Sequence, residues 1–200
     1  MRKILLSLVL CFVAITVCAQ YNFPSSYGIH TYIIGNDEQQ FYKDCKNEGF
    51  EWIEVNPGEY GSGSTVEEIE AGSLATAEMM DAAGVKAWAV HLPYGMAGSP
   101  YDICVTNETT RKANVARLIN YIKALSRVFK PERMVLHPSG EPNPVDGARE
   151  ENIQAAIRSI AELGPACKEV GTVLCVENLP RTCLGNTPEE LLRLVEPTPA

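Results

Sequence analysis

Three short stretches of this chain end in side chains that bind metals. They are Lys86-Ala-Trp-Ala-Val-His-Leu-Pro93, Arg133-Met-Val-Leu-His-Pro138 and Thr172-Val-Leu-Cys-Val-Glu-Asn-Leu-Pro180. Each is an apolar run, then one metal-capable residue, then a proline within three positions. Proline cannot donate to a sheet ladder, so each run reads as a buried strand that stops there. His91, His137 and Glu177 then lie at strand carboxyl ends, where α/β proteins bind ligands. Imidazole nitrogen and carboxylate oxygen suit zinc, and a mixed set also admits manganese or iron. A lone histidine is more often a hydrogen-bonded core or loop residue. Three donors at equivalent strand ends shift the expectation to one shared metal site.

Side chains alternate along a strand. Counting back by twos places Ala89 and Ala87 with His91, Val135 with His137, and Cys175 and Val173 with Glu177. The opposite face carries Trp88 and Val90, Met134 and Leu136, Leu174 and Val176. These are mostly larger residues suited to packing under outer helices, and Trp88 is expected there.

The elements that must position these residues follow in order. Tyr27–Ile34, with His30 as a structural residue, reads as a first strand. Asp37 caps a helix that ends at Gly49, and Phe50–Val55 forms a second strand. Thr65-Val-Glu-Glu68 is a capping box opening a helix toward Gly84. The third strand is Val85–Val90, and a helix follows from Glu108 to Phe129, with Val115, Leu118, Ile119, Ile122 and Leu125 at helical spacing. Met134–Leu136 is the fourth strand. A helix from Ala148 to Leu163 is expected to break or kink at Gly164-Pro165. Thr172–Val176 is the fifth strand, and Thr187-Pro-Glu-Glu190 caps a last helix through Val195.

Strict βα alternation without hairpin signals argues for an α/β fold with a parallel sheet. No glycine-rich phosphate loop follows the first strand, which weighs against a dinucleotide-binding sheet. A (β/α)8 TIM barrel suits strand-end residues that converge on one face. Such a barrel typically needs about 250 residues, so the 200 here are expected to be a truncated chain holding the first five βα units.

Met1–Ala19 reads as a secretory signal peptide, with Arg2 and Lys3 before an apolar run and Val17-Cys18-Ala19 as the cleavage pattern. Residues 20–200 are the partial barrel, and the expected location is periplasmic or secreted. Cleavage leaves 15 basic and 25 acidic residues instead of 17 and 25, so the net charge moves from -8 to -10. An acidic chain without a basic stripe is a poor partner for nucleic acid. No membrane contact is expected after cleavage, and homo-oligomer formation stays open. Five cysteines remain, an odd number that is not a disulfide framework, although one disulfide stays open. Cys175 reads as a small buried hydrophobe.

His91-Leu-Pro-Tyr94, Val135-Leu-His-Pro-Ser-Gly140, Val176-Glu-Asn-Leu-Pro180 and Ile53-Glu-Val55 resemble, in order and spacing, the xylose isomerase-like barrel superfamily. That resemblance implies a sugar isomerase or epimerase using a divalent metal (manganese, zinc, magnesium or cobalt), which the leader would export. In the nuclease-like branch of that superfamily the residues matching His91, His137 and Glu177 are metal ligands, and in the epimerase-like branch the glutamate matching Glu177 binds the metal and moves the proton beside a sugar carbonyl. Further ligands and a second carboxylate would come from later strands. Tyr94 and Asn178 are expected to line the sugar pocket. Glu54 is a weaker candidate for substrate contact, against the plainer reading of a solvated or ion-paired strand-end residue. The alternatives are an endonuclease-IV-like metal-dependent phosphoesterase and a non-catalytic sugar-binding barrel.

Overall fold

A computed structural model of the chain describes residues 37–56, 65–144 and 147–197. The leader Met1–Ala19, the expected first strand with His30, and most of the loop before Thr65 lie outside the described residues. Helix α1 (Glu38–Asn47) starts where the Asp37 carboxylate accepts the Gln40 amide hydrogen, and it buries Tyr42 and Cys45. Strand β1 is Trp52–Val55. Helix α2 (Val66–Ala83) opens with the expected Thr65–Glu68 capping box and closes on left-handed Gly84. Strand β2 (Lys86–His91), helix α3 (Glu108–Phe129) and strand β3 (Arg133–Leu136) follow. Helix α4 (Arg149–Glu169), strand β4 (Val173–Val176) and helix α5 (Pro188–Val195) complete the order.

The four strands form one parallel sheet in the order β1-β2-β3-β4. Alternation of parallel strands with helices is the arrangement of a partial (β/α)8 barrel. Ile53, Val55, Val90, Met134 and Leu136 are buried in one core with Ile69 of α2 and Leu118, Ile122 and Leu125 of α3. The other sheet face is more open. Strand β4 forms the described edge of the sheet, and Val173 at its start is 60% exposed.

Three expectations are corrected. Helix α4 does not break at Pro165 but runs on to Glu169. Proline there costs one backbone hydrogen bond and crowds the carbonyl four residues back; its further clash with the Cβ of the preceding residue is spared because Gly164 has none. Burial of Leu163, Ala166 and Cys167 holds the final turns in place. Trp88 does not join the core under the helices. The β1–β2 register shifts between Ile53 and Glu54, whose partners are Ala87 and Ala89, so Trp88 is an extra residue in β2. That bulge switches the alternation. Ala87 packs into the helix-side core, and the Trp88 ring lies against the Arg133 guanidinium, 4.5 Å away. Cys175 is half-buried rather than buried, because it sits on the open face of the edge strand. The five cysteines among the described residues are free thiols.

Arg111 is fully buried and ties α3 to α4. It donates to Glu108 at 2.7 and 2.8 Å, to Ser159 at 3.0 Å and to Glu162 at 2.6 Å. Its hydrogen bond is the main cause that holds the Glu108 carboxyl at about 2. Arg181 does the same to Glu141, also at about 2. Both carboxylates ionise more readily folded than unfolded, so their stabilisation is complete above the ordinary 4.5 and is lost as pH falls toward 2. The urea midpoint is expected to hold steady above about pH 5 and to fall below it. Glu108→Gln is expected to make that fall shallower. A variant with the parental acid slope would contradict the role given to the Arg111–Glu108 pair.

Candidate metal centre

Three strand ends build the site. His91 is the last residue of β2, and His137 and Glu177 each follow the last residue of β3 and β4. Neighbouring parallel strands in register bring His91 level with Val135 and Cys175, two residues before the other donors. The backbone bonds Leu92 N–H to Val135 O and Glu177 N–H to Leu136 O, both 2.9 Å, carry the pairing past the strand ends. The sequence-based donors are thereby gathered. The ligand atoms of His91, His137 and Glu177 all lie within 4.8 Å of one another.

Both imidazoles meet the same carboxylate oxygen. Glu177 Oε2 is 3.2 Å from His91 Nε2 and 3.0 Å from His137 Nε2. His91 Nδ1 lies 2.7 Å from the Leu92 carbonyl oxygen. A carbonyl cannot donate, so Nδ1 carries the hydrogen, and in the neutral ring Nε2 carries a lone pair. That lone pair faces a carboxylate oxygen. Two electron-rich atoms at this separation require a cation between them, either a proton or a metal ion. The two histidines, His137 foremost, hold the Glu177 carboxyl well below the usual carboxylate range, so it is an anion at any physiological pH.

The donor set fits a divalent ion. Donors about 2.1 Å from one ion stand roughly 3.0–3.4 Å apart in tetrahedral or octahedral geometry, which matches the two imidazole–carboxylate separations; the widest separation in the set, 4.8 Å, must shorten by roughly 1.4 Å around an ion. Backbone orientation of a ligating imidazole through its other nitrogen is the usual companion of such sites. Three donors leave positions for water, substrate or further side chains, the pattern of catalytic sites. His91 is buried at 3% exposure, whereas Glu177 is 40% exposed, so the cluster is shielded below and open at Glu177.

Tyr94 closes one side. Its ring stacks on His137 at 4.1 Å and tilts against His91 at 4.9 Å. The residue expected to line the pocket therefore packs on the donor rings themselves. Asn178 is exposed beside Glu177. Glu54 pairs in register with Ala89, two residues before His91, so it lies one layer beneath the cluster rather than within it. Sequence reasoning missed the loops that frame the site. Gly140 and Glu141 in the loop after β3 pack against the loop after β2, and Glu141 also holds the loop after β4. The only local signal was the small Ser139-Gly140 pair directly after His137-Pro138.

A family model described as a xylose isomerase-like TIM barrel matches residues 42–199. None of the curated proteins compared with the chain is a significant match. Among solved structures, D-psicose 3-epimerase in the presence of D-fructose superposes with a TM-score of 0.66 at 14% identity, over 86% of this chain and 59% of that one. An L-ribulose 3-epimerase gives 0.63 at 18% identity, over 84% and 55%. A 3-keto-D-glucoside 4-epimerase from E. coli gives 0.60 at 16% identity, over 84% and 63%. At these identities the likeness is one of fold. The chain spans somewhat more than half the length of these structures.

Proposed function

The chain belongs to the xylose isomerase-like TIM barrel family, and from that premise we propose a divalent-metal-dependent sugar isomerase or epimerase exported from the cytoplasm. The observation that carries the reading is the meeting of two imidazole nitrogens on one carboxylate oxygen, with His91 oriented by Leu92. Support for a sugar substrate comes from the structural neighbours, each named for epimerising a sugar. Support for export comes from the signal-peptide pattern of Met1–Ala19, which directs the chain to the periplasm or the medium.

His91, His137 and Glu177 would hold the ion. A bound divalent ion supplies Lewis acidity that polarises a sugar carbonyl and acidifies the carbon beside it. Glu177 has two oxygens with separate tasks. Oε2 is engaged by both imidazoles, which leaves Oε1 to take the proton from the carbon beside the carbonyl. The proton's return to the opposite face makes the epimer, and that step needs a second acid outside the groups identified here. Tyr94 and Asn178 flank the opening and would contact the sugar. Glu54, a layer lower, would act on the pocket through its charge.

The test is solvent exchange. Intact protein supplied with Mn2+ is incubated in D2O with a panel of free and phosphorylated ketoses. Deuterium beside the carbonyl is the expected result. Cleavage of abasic DNA without sugar exchange would move the assignment to a phosphoesterase, and sugar binding without either reaction would leave a binding barrel.

A further inference from the structure

The three donors sit on three different strands, and three different loops leave them. The loop after β2 begins with Leu92, Pro93 and Tyr94. The loop after β3 begins with Pro138, and that after β4 with Asn178. Glu141 touches all of this rim. Its backbone carbonyl accepts the Ala97 N–H at 3.2 Å, three residues past Tyr94. Its carboxylate accepts from Arg181 Nε at 2.6 Å, with a second, shorter contact to Arg181 Nη2. The same carboxylate accepts from the Thr182 hydroxyl at 3.2 Å and the Thr182 N–H at 3.4 Å. Arg181 holds a left-handed backbone conformation, φ 56°, which is costly for a residue with a Cβ and persists only when its surroundings fix it. The neighbouring Asn143 N–H donates to Thr182 Oγ1 at 3.3 Å, and Ser139 Oγ accepts the Leu184 N–H at 2.9 Å.

We propose that Glu141 is a positioning residue that fastens the three loops behind His91, His137 and Glu177 into one rim, and so keeps the three donors gathered within reach of one ion. The inference rests on the metal reading of the site for its consequence, but the fastening stands on the loop contacts alone. Bonds of this kind to a bidentate guanidinium are directional and charge-assisted, so they fix where Arg181 and Thr182 lie, four and five residues past Glu177. Ala97 is fixed through the same residue. A change at Arg181 therefore reaches the loop under Tyr94 without touching it.

The test separates the fastening from the metal. In the intact protein, amide exchange is followed at Gly95–Ala97 for the parent, Arg181→Met, Glu141→Gln and the double variant. Arg181→Met is expected to speed exchange at Ala97 about three- to tenfold, and the double variant no further. Ala97 exchange unchanged by Arg181→Met would overturn the proposal. Mn2+ affinity is then titrated in the same proteins, with circular dichroism confirming that each is folded. Each single variant is expected to bind about three- to tenfold more weakly, and the double no worse than the weaker single. Parental affinity in both singles, or effects that multiply in the double, would also overturn it. A parent that binds no Mn2+ sinks the metal reading instead, and with it the stated consequence, while Ala97 exchange still decides the fastening.

Discussion

Replacing Glu177 with glutamine is expected to weaken divalent-metal binding by at least about 100-fold and to reduce ketose exchange by at least about 1000-fold. The two losses have separate causes. Metal affinity falls because the anionic donor shared by His91 and His137 becomes a neutral amide, and the two imidazoles then lack a third, charged partner. Exchange falls further because an amide oxygen is a far poorer base than a carboxylate. The fold should survive. Glu177 is 40% exposed and lies outside the core that joins β1, β2 and β3 to α2 and α3. Thermal unfolding of metal-free protein is therefore expected to change little, while calorimetric titration with Mn2+ loses its signal. A variant that keeps parental affinity would remove Glu177 from the ligand set. One that keeps exchange would remove it from proton transfer.

Gly140→Ala carries the largest expected effect on stability, about 3 kcal/mol, or about 6–12 °C in melting temperature for a domain of this size. A Cβ at position 140 would stand 2.3 Å from Ala97 N, 2.4 Å from Met96 C and 2.6 Å from Gly95 O. All three are backbone atoms and cannot rotate aside, so the loops after β2 and β3 must part. Gly95→Ala is the matched comparison. Its Cβ would meet only the Ser99 side chain, at 2.7 Å to the hydroxyl, which can turn away, and at 2.9 Å to Ser99 Cβ, which needs a shift of a few tenths of an ångström within that one loop. Gly140→Ala should melt well below Gly95→Ala. Equal melting temperatures would show that the approach of the two loops is not tight in solution.

The donors and the elements that carry them were legible because their signals are local. Proline after an apolar run ends a strand wherever the strand sits, so His91, His137 and Glu177 could be placed without knowing their neighbours. Helix α3 and the Thr65 cap were likewise written in spacing and cap chemistry. What escaped depended on a partner strand or a distant loop. The extra residue at Trp88 is defined only by pairing with Ile53 and Glu54, so counting by twos carried Trp88 to the wrong face and Ala87 with it. The path of α4 through Pro165 depends on burial of Leu163, Ala166 and Cys167, a tertiary term that outweighs the local cost of the proline. Glu141 and Arg181 lie 40 residues apart, and nothing in either local sequence announces the other. The same holds for Tyr94, whose stacking on His137 requires the two loops to be in place.

The central claim is that His91, His137 and Glu177 hold one ion. X-ray absorption at the metal edge of intact protein loaded with one equivalent of Mn2+ or Zn2+ tests it most directly, because imidazole rings leave a countable multiple-scattering signature. A shell of nitrogen and oxygen donors with at least two imidazoles is expected, with one imidazole fewer in His91→Ala. A shell without imidazole, or one unchanged in His91→Ala, would contradict the account.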